Sequence, residues 1–434
     1  MHKNTFKGFG LIAQAERRVV LWAFLYFFTL LASYFILRPL RDEMGVANGA
    51  INMQWLFTGT FATMMVIVPL FGYATAKFKI AKVLSSAYVF LIINIICFYL
   101  LFKFVPNIEV LPAVFFIWLS VFNLFAVSLF WSFMVDIFTM DQSKRLFGVI
   151  AAGGSLGAIV GPLVTNLLSH KTAIENLFLV AASFLLISLL ALRKLMRISA
   201  GQNPKKEGYV QNFSDTFLSK NSILDGIKLV MTSKYLQGMV LFMLLYTGVS
   251  TFLYFEQAHI VETLMEFPSH RIAYFSKVDL VTNVLAIGGQ LFLTSRIIGK
   301  FGLTISLCCL PILIGIGFVA LSFNTMLIII AILVIMHRAG NFMVLRPARE
   351  MLYTICSREE KYKAKNFIDT AVYRGGDALW GWAFAGLVSL GLGLSAIAII
   401  ALPIIALWSH TGFKLGRNAE GRPSSKISTI KTKR

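Results

Sequence analysis

Long runs without a charged residue follow one another along nearly the whole chain, from residue 19 to residue 413. A helix that crosses the hydrocarbon core of a bilayer needs about 20 predominantly apolar residues, and most of these runs approach or exceed that length. Charged residues make up only 14% of the chain and hydrophobic residues 57%, whereas a soluble domain carries roughly 25% charge. So few charges cannot cover a water-soluble surface, so we predict an all-α integral membrane protein.

The uncharged runs fit twelve membrane-spanning helices best. We expect these to begin near residues 19, 52, 82, 111, 147, 174, 235, 275, 303, 325, 366 and 393. The run at 301–337 is too long for one helix, and the run at 378–413 holds the end of one helix and all of the next.

Lysine and arginine are concentrated in alternate loops. With the N-terminus inside the cell, 30 of the 40 basic residues lie in cytoplasmic segments, which is the bias that orients membrane proteins. We therefore predict a multi-pass membrane protein with both termini in the cytoplasm. The same bias accounts for the net charge of +20, so we expect no nucleic-acid partner.

The longest hydrophilic segment lies in the middle of the chain and contains a short amphipathic pattern near its end. It divides the chain into four predicted regions: an N-terminal six-helix bundle at 1–192, a cytoplasmic linker with an amphipathic helix at 193–234, a C-terminal six-helix bundle at 235–413 and a basic cytoplasmic tail at 414–434.

The two predicted bundles repeat each other in sequence. Tyr34 corresponds to Tyr254, and the Gly-Gly pair at 153–154 corresponds to the pair at 375–376. Two six-helix halves in parallel repeat resemble the plan of the major facilitator superfamily. The sequence therefore predicts that fold.

Six of the 40 basic residues lie neither in the cytoplasmic segments nor in the external loops and their edges, and all six are arginines. They are Arg38, Arg41, Arg338, Arg346, Arg349 and Arg374. A charge at membrane depth is energetically costly, so it normally faces a water-filled path or a partner. Because a guanidinium fork binds carboxylate or phosphate through two parallel hydrogen bonds, the six arginines are candidates for binding an anionic small-molecule substrate.

Four of these arginines belong to a motif that occurs twice. Leu-Arg-Pro-Leu-Arg-Asp at 37–42 returns as Leu-Arg-Pro-Ala-Arg-Glu at 345–350. An interfacial cap is the alternative for the first copy, and a salt bridge with Glu350 or a lipid headgroup for the second. Arg338 and Arg349 are eleven residues apart, a spacing that places both on one face of an α-helix.

Arg374 lies nine residues beyond Lys365, which is ~14 Å of helix rise and puts it near the middle of the membrane. The two glycines that follow it leave room for another helix or a ligand. A structural ion pair with Asp377 or Asp369 is the alternative to substrate binding.

Acidic side chains in the spans are candidates for gating or coupling: Asp42, Glu256, Asp279 and Asp377. They either balance the arginines in the absence of substrate or bind a coupling proton. The cysteines and histidines are too scattered for a metal site, and no HExxH motif or Walker-type loop occurs in the sequence. We therefore expect neither an enzyme nor a cofactor.

Several short stretches, in order along both halves, resemble the ATP:ADP antiporter (nucleotide transporter) family. They are Tyr34–Asp42, Phe130-Trp131, Asp141–Arg145, Glu256 with Phe267-Pro-Ser269, Asp279, Arg349–Met351, and Ile368-Asp369 with Arg374–Gly376. The resemblance implies a major facilitator fold and exchange of nucleotides across the membrane. It also implies functional roles for Arg41, Glu256 and Arg374, which fall on the family's basic and acidic positions.

This chain departs from that family at two points. Its nucleotide exchangers usually carry a glutamate on the fourth helix, whereas residues 110–135 contain no acid. Arginine also stands where the exchangers often have lysine.

Together these patterns predict a monomeric alternating-access transporter in the lipid bilayer. Its expected substrate is anionic and phosphorylated, with ATP binding and ATP/ADP-type exchange as the expected activity. The alternative is a proton-coupled major facilitator transporter for another organic anion or a drug-like solute, with Glu256 or Asp279 carrying the proton. A membrane enzyme or an assembly scaffold would be a third class, but a scaffold gives no reason for an arginine at the depth of Arg374.

Overall fold

The computed structural model describes residue 14 and the ranges 16–77, 80–105, 108–200, 222–356 and 358–421. Helices account for nearly all of these residues, and no strand occurs among them. The first part of the N-terminal segment, residues 201–221 of the predicted linker and residues 422–434 of the predicted tail lie outside the described residues.

Six long helices come before the linker. They are α1 (Arg17–Ala47), α2 (Met53–Lys77), α3 (Ile80–Phe104), α4 (Leu111–Ile137), α5 (Met140–Leu168) and α6 (Asn176–Ala200). A short helix, α7 (Ser222–Thr232), lies where the sequence predicts the amphipathic helix of the linker.

The second half contains three long helices followed by two interrupted ones and a final long helix. They are α8 (Lys234–Leu264), α9 (Pro268–Phe292), α10 (Thr294–Phe323), α11 (Leu327–Gly340), α12 (Arg346–Leu352), α13 (Arg358–Phe367), α14 (Tyr373–Ser389) and α15 (Leu394–Glu420). A π-helical segment, Asn341–Leu345, joins α11 to α12, and a second one, Ile368–Val372, joins α13 to α14.

Ten helical segments within the described ranges are long and apolar enough to cross a membrane. The other two predicted spans are α9, which carries Arg271, Lys277 and Asp279, and the α13–α14 segment, which carries Arg374 and Asp377. Their charged side chains lower their hydropathy, and α9 is nonetheless 25 residues long. The predicted all-α membrane architecture is confirmed.

Local features of the sequence, a capping box in one case and a glycine in the other, explain where two spans begin. α5 starts at Met140, earlier than predicted, because the Thr139 hydroxyl accepts a hydrogen bond from the Gln142 backbone N–H while the Gln142 side chain accepts one from the Thr139 N–H. In α10 the backbone leaves the helical conformation at Gly302, where φ is +79°. Glycine adopts this conformation without a Cβ clash, so the regular part of this span begins at Leu303, close to the predicted start.

Two compact units divide the chain. Unit 1 comprises residues 1–52, 62–218 and 262–283, and unit 2 comprises 53–61, 219–261 and 284–434. The start of α2 thus belongs to unit 2 and the first part of α9 to unit 1. The division into bundles at 1–192 and 235–413 stays a prediction.

In unit 1, α5 packs on α1 through a row of glycines. A Cβ atom added to Gly153 would lie 2.6 Å from the Phe24 carbonyl oxygen, and one added to Gly161 would lie 2.7 Å from Cβ of Phe35. Small residues at this spacing let two membrane helices approach closely. Residues 153–157 also match the Gly-x-Ser-x-Gly pattern of hydrolases, but they lie inside α5 and not at a strand-to-helix turn, so the pattern serves packing.

Candidate substrate-binding site

The first arginine of the candidate set joins two helices of unit 1. Nη1 of Arg38, on α1, lies 3.5 Å from Oδ1 of Asp279, on α9, and only 18% of the arginine side chain and 1% of the aspartate side chain are exposed. The guanidinium also lies over the Phe35 ring, 5.7 Å from its centroid. The structure therefore brings together a candidate arginine and a candidate acid that are 241 positions apart in the sequence.

Arg41 forms a local ion pair with the next residue. Its Nε and Nη2 atoms donate hydrogen bonds of 3.0 and 2.6 Å to Oδ1 of Asp42. The same guanidinium lies over the Phe116 ring at 5.1 Å. Arg41 and Asp42, which are separate candidates in the sequence, are thus paired with each other.

A further ion pair near this end of α1 has no counterpart among the predicted site residues. Oε1 of Glu43 lies 3.7 Å from Nη1 of Arg271, and Glu262 accepts a hydrogen bond of 3.3 Å from the backbone N–H of Ala50. Neither Glu43 nor Arg271 is among the site residues predicted from the sequence, so this pair was missed. The signal was Glu43 itself, a second acid directly after Asp42 at the end of an apolar span.

In unit 2, Arg349 reaches a carboxylate from another helical segment. Its Nη2 lies 3.5 Å from Oδ1 of Asp369, in the π-helical segment Ile368–Val372. Glu350, which follows Arg349 in the chain, accepts a hydrogen bond of 2.5 Å from Nζ of Lys365 on α13. Of the two alternatives for the second motif copy, the structure thus shows Glu350 with a lysine of α13 and not with Arg349.

Arg374, which the sequence predicts near the middle of the membrane, has the ion-pair partner that the alternative to substrate binding named. Nη1 of Arg374 donates a hydrogen bond of 3.3 Å to Oδ2 of Asp377, one turn further along α14. About a third of the Arg374 side chain, 34%, remains exposed, and its guanidinium lies over the Tyr373 ring at 5.3 Å. The ion pair leaves part of the guanidinium accessible to a ligand.

The two glycines after Arg374 do not have the same surroundings. A Cβ atom on Gly376 would collide with the Thr247 hydroxyl and crowd Leu244, both on α8. A Cβ atom on Gly375 would make only ordinary van der Waals contact, 3.6 Å from the Phe61 ring. Gly376 therefore serves the close packing of α14 on α8.

The remaining two arginines, Arg338 and Arg346, differ in how far they are exposed. Arg338 is half-buried on α11 beside His337, whose ring stacks on Tyr246 with 5.2 Å between centroids, while Arg346 is exposed on α12. The π-helical segment lies between Arg338 and Arg349. Since a π-helical turn holds more residues than an α-helical one, the α-helical spacing that put these two on one face does not apply.

Glu256 is deeply buried on α8, with 1% of the residue exposed. Its Oε1 atom has no hydrogen-bond partner among the described residues. Aromatic rings dominate this part of unit 2: Phe57 lies 5.6 Å from Tyr254 and 5.2 Å from Phe255, between centroids. Within the described ranges, no group of three or more histidine, cysteine or acidic side chains is arranged to hold a metal ion.

Comparison with known families decides the class of this protein. Residues 19–348 match the Major Facilitator Superfamily. The chain belongs to this superfamily. This confirms the predicted fold, and it makes the chain a multi-pass membrane protein of a transporter superfamily.

Solved structures of other facilitators have the same fold. A D-xylose-proton symporter is similar with a TM-score of 0.63 at 13% identity, over 94% of this chain and 100% of the other. A variant of the nucleoside transporter NupG gives 0.61 at 12% identity, over 94% and 99%. A POT family transporter gives 0.60 at 14% identity, over 94% and 100%.

At these identities the similarity establishes the fold of this facilitator and leaves its substrate open. No curated protein sequence matches the chain significantly. The resemblance to the ATP:ADP antiporter family therefore stays a prediction, as do the roles of the arginines and acids described above.

Proposed function

We propose that this facilitator moves an anionic, phosphorylated small molecule across the membrane by alternating access, and that it exchanges nucleotides of the ATP/ADP type. One observation carries the proposal. Four of the six arginines in the spans form ion pairs with carboxylates of their own unit, at 2.6–3.5 Å: Arg38 with Asp279, Arg41 with Asp42, Arg349 with Asp369 and Arg374 with Asp377.

Such pairs are what an anion carrier requires when it is empty. An unpaired charge inside a membrane protein is costly, so each arginine needs a counter-anion in the absence of substrate. A phosphate group offers the guanidinium the same bidentate geometry as a carboxylate. Arginines held by internal carboxylates are therefore suited to exchange them for the phosphates of a substrate.

Exchange needs no coupling ion, because the countersubstrate returns the carrier to its first state. A nucleotide base would in addition stack on an aromatic ring, and Tyr373 is the best placed because the guanidinium of Arg374 already lies over its ring. We further propose that the protein acts as a monomer in the bacterial inner membrane, with both termini in the cytoplasm.

A second candidate function is proton-coupled transport of another organic anion or a drug-like solute. The observation that favours it is Glu256, whose Oε1 is buried on α8 without a hydrogen-bond partner among the described residues. A buried carboxyl group in a membrane helix is suited to carrying a proton. In this function Glu256 or Asp279 binds the proton and no countersubstrate is required.

Counterflow in proteoliposomes separates the two functions. Purified protein is reconstituted into liposomes loaded with unlabelled ADP, and uptake of labelled ATP is measured with and without a pH gradient. The proposal expects rapid uptake that requires internal nucleotide and is independent of the gradient. Protein-free liposomes and the Arg374→Ala variant serve as controls. Failure to exchange any nucleotide, together with gradient-driven uptake of another organic solute, would establish the second function instead.

A further inference from the structure

Arg41 and Arg349 hold the same place in the repeated motif, yet their surroundings differ. Arg41 donates two hydrogen bonds to Asp42, the next residue in the chain. Arg349 makes no such pair with Glu350, since Glu350 is bound by Lys365. The repeat thus contains one guanidinium that is satisfied locally and one that is not.

The guanidinium of Arg349 is largely buried, and the protein offers it few good hydrogen-bond acceptors. Its side chain is only 12% exposed. Nη1 is 3.3 Å from the Met243 sulfur, a weak acceptor, Nη2 is 3.5 Å from Asp369, and Nε is buried with no hydrogen-bond partner among the described residues. Buried donors without acceptors are unfavourable, so this geometry calls for an acceptor from a ligand.

A second buried donor lies in the same cluster. Tyr353 is 1% exposed, and its hydroxyl has no hydrogen-bond partner in the described part of the chain. The Lys365 ammonium lies over the Tyr353 ring, 5.6 Å from its centroid. Arg349 on α12 and Tyr353 in the turn after it thus each contribute a buried donor that has no hydrogen-bond partner in the described part of the chain.

Both helices that build this cluster contain a π-helical segment. Asn341–Leu345 directly precedes α12, which carries Arg349, and Ile368–Val372 contains Asp369. Segments of this kind are rare and occur frequently at functional sites. Their position on both sides of the loose Arg349–Asp369 pair is a second, independent indication of a ligand site.

We propose that Arg349 and the Tyr353 hydroxyl bind a phosphate group of the substrate, that Asp369 takes the place of this phosphate in the empty carrier, and that Lys365 keeps the site available by holding Glu350 away from Arg349. The inference rests on the proposed function, because it assumes an anionic substrate. It adds to that function the residues Tyr353, Lys365, Glu350 and Asp369.

This arrangement has a direct consequence for affinity. Asp369 competes with the substrate for Arg349. The apparent dissociation constant of the substrate therefore equals the intrinsic one divided by the fraction of carrier in which Arg349 is free of Asp369. Glu350 is a second potential competitor, since Asp42 shows that an acid at this motif position can bind the preceding arginine. Removing Asp369 therefore strengthens anion binding, whereas releasing Glu350 from Lys365 weakens it.

The test of the inference is the binding of inorganic pyrophosphate to the purified protein in detergent. Binding is measured by thermal shift and by calorimetry. Asp369→Asn is expected to bind pyrophosphate roughly three- to tenfold more tightly than wild type. Lys365→Met is expected to bind it about tenfold more weakly, and Lys365→Met with Glu350→Gln to recover wild-type affinity. Arg349→Lys should bind weakly, because it loses the fork. Lys300→Met, which removes an exposed charge on α10, is the charge-matched control and should bind as wild type does.

The outcomes distinguish this inference from the proposed function. If wild-type protein shows no binding of pyrophosphate at any concentration, both fall. If wild type binds but Asp369→Asn does not bind more tightly, or if Glu350→Gln fails to rescue Lys365→Met, the inference alone is overturned. Loss of binding in Arg374→Ala with no change in Arg349→Lys likewise overturns it and leaves the proposed function standing. Melting temperatures without ligand are measured for every variant and identify a folding defect. Where a single variant has such a defect, the comparison of Lys365→Met with the double variant Lys365→Met, Glu350→Gln decides whether the inference stands.

Discussion

Four arginines of the spans form ion pairs with acids, and these pairs are of two kinds. Arg41 and Arg374 pair with acids one and three residues away on their own helices, so these pairs persist when helices move relative to one another. Arg38 and Arg349 pair with acids from other helical segments, so their pairs break when those segments separate. The local pairs are suited to tuning a binding site, and the tertiary pairs to sensing a conformational change.

The first prediction concerns Arg374. A charge-assisted hydrogen bond to phosphate contributes roughly 1.5–3 kcal/mol, so Arg374→Ala should weaken substrate binding about ten- to hundredfold. Arg374→Lys keeps the charge but loses the fork and should be partly active. Arg374→Ala should still insert into the membrane, since removing a charge from the bilayer favours insertion. Uptake and ligand-induced thermal shift measure the effect.

Asp377 supplies the decisive control for Arg374. If the arginine serves only to neutralise this buried carboxylate, Arg374→Ala lowers stability by leaving an unpaired acid, and the added change Asp377→Asn restores transport. Substrate binding by Arg374 predicts that the double variant stays inactive. Recovery of uptake in the double variant would remove Arg374 from the binding site.

Glu256 should matter for turnover more than for folding. The Glu256→Gln change keeps the shape of this buried side chain and removes its ability to ionise. We expect uptake to fall while expression and melting temperature stay near those of wild type. Uptake measured across a wide pH range checks this, with Glu266→Gln, an acid outside the candidate set, as the matched control. Unaltered uptake at every pH would exclude Glu256 from gating and coupling.

Some glycines of unit 1 are needed for close helix packing, whereas others have open space around them. On α5, Gly161 lies against Ala32 and Phe35 of α1, and a Cβ atom there would come within 2.8 Å of the Ala32 carbonyl oxygen. Gly148, on the same helix, has nothing within 4 Å of the position that a Cβ atom would occupy. The two sites form a matched pair for measuring the close approach of α5 and α1.

Gly161→Ala should destabilise the protein by about 1–3 kcal/mol, because overpacking forces the neighbouring backbone to move. Gly148→Ala should be neutral or slightly stabilising, since alanine favours the helix and meets no obstacle. Thermal unfolding of both variants in the same detergent gives the comparison. Equal melting temperatures would show that α1 can yield at Gly161 without cost.

At the scale of the whole molecule, the charge distribution predicts the orientation in the membrane. Both termini and the 193–234 linker should be cytoplasmic, and the loop between α5 and α6 external. In a variant without the four native cysteines, a cysteine placed at position 172 should react with an impermeant reagent added to intact cells. A cysteine at position 205 should react only after the cells are opened. Labelling at 205 in intact cells would overturn the orientation.

Much of the fold could be predicted from the sequence, and only part of the candidate site. Spans such as α4 and α8 begin within one residue of their predicted starts, because a long apolar run has few alternatives in a bilayer. The start of α5 was missed, since a capping box extends the helix beyond its apolar run. Glu43 and Lys365 were left out of the candidate site, because their roles depend on partners from other helices.

The amino-acid sequence by itself determined the membrane class, the number of spans and the presence of arginines within them. These are local properties. The bilayer requires apolar helices of a certain length, and a charged residue that interrupts such an apolar run can be recognised from the sequence alone. Only the tertiary structure decided which carboxylate holds which arginine. Arg41 and Arg349 share a motif, but Lys365 approaches Glu350 from α13 and leaves Arg349 with the distant Asp369, and no local spacing encodes that contact.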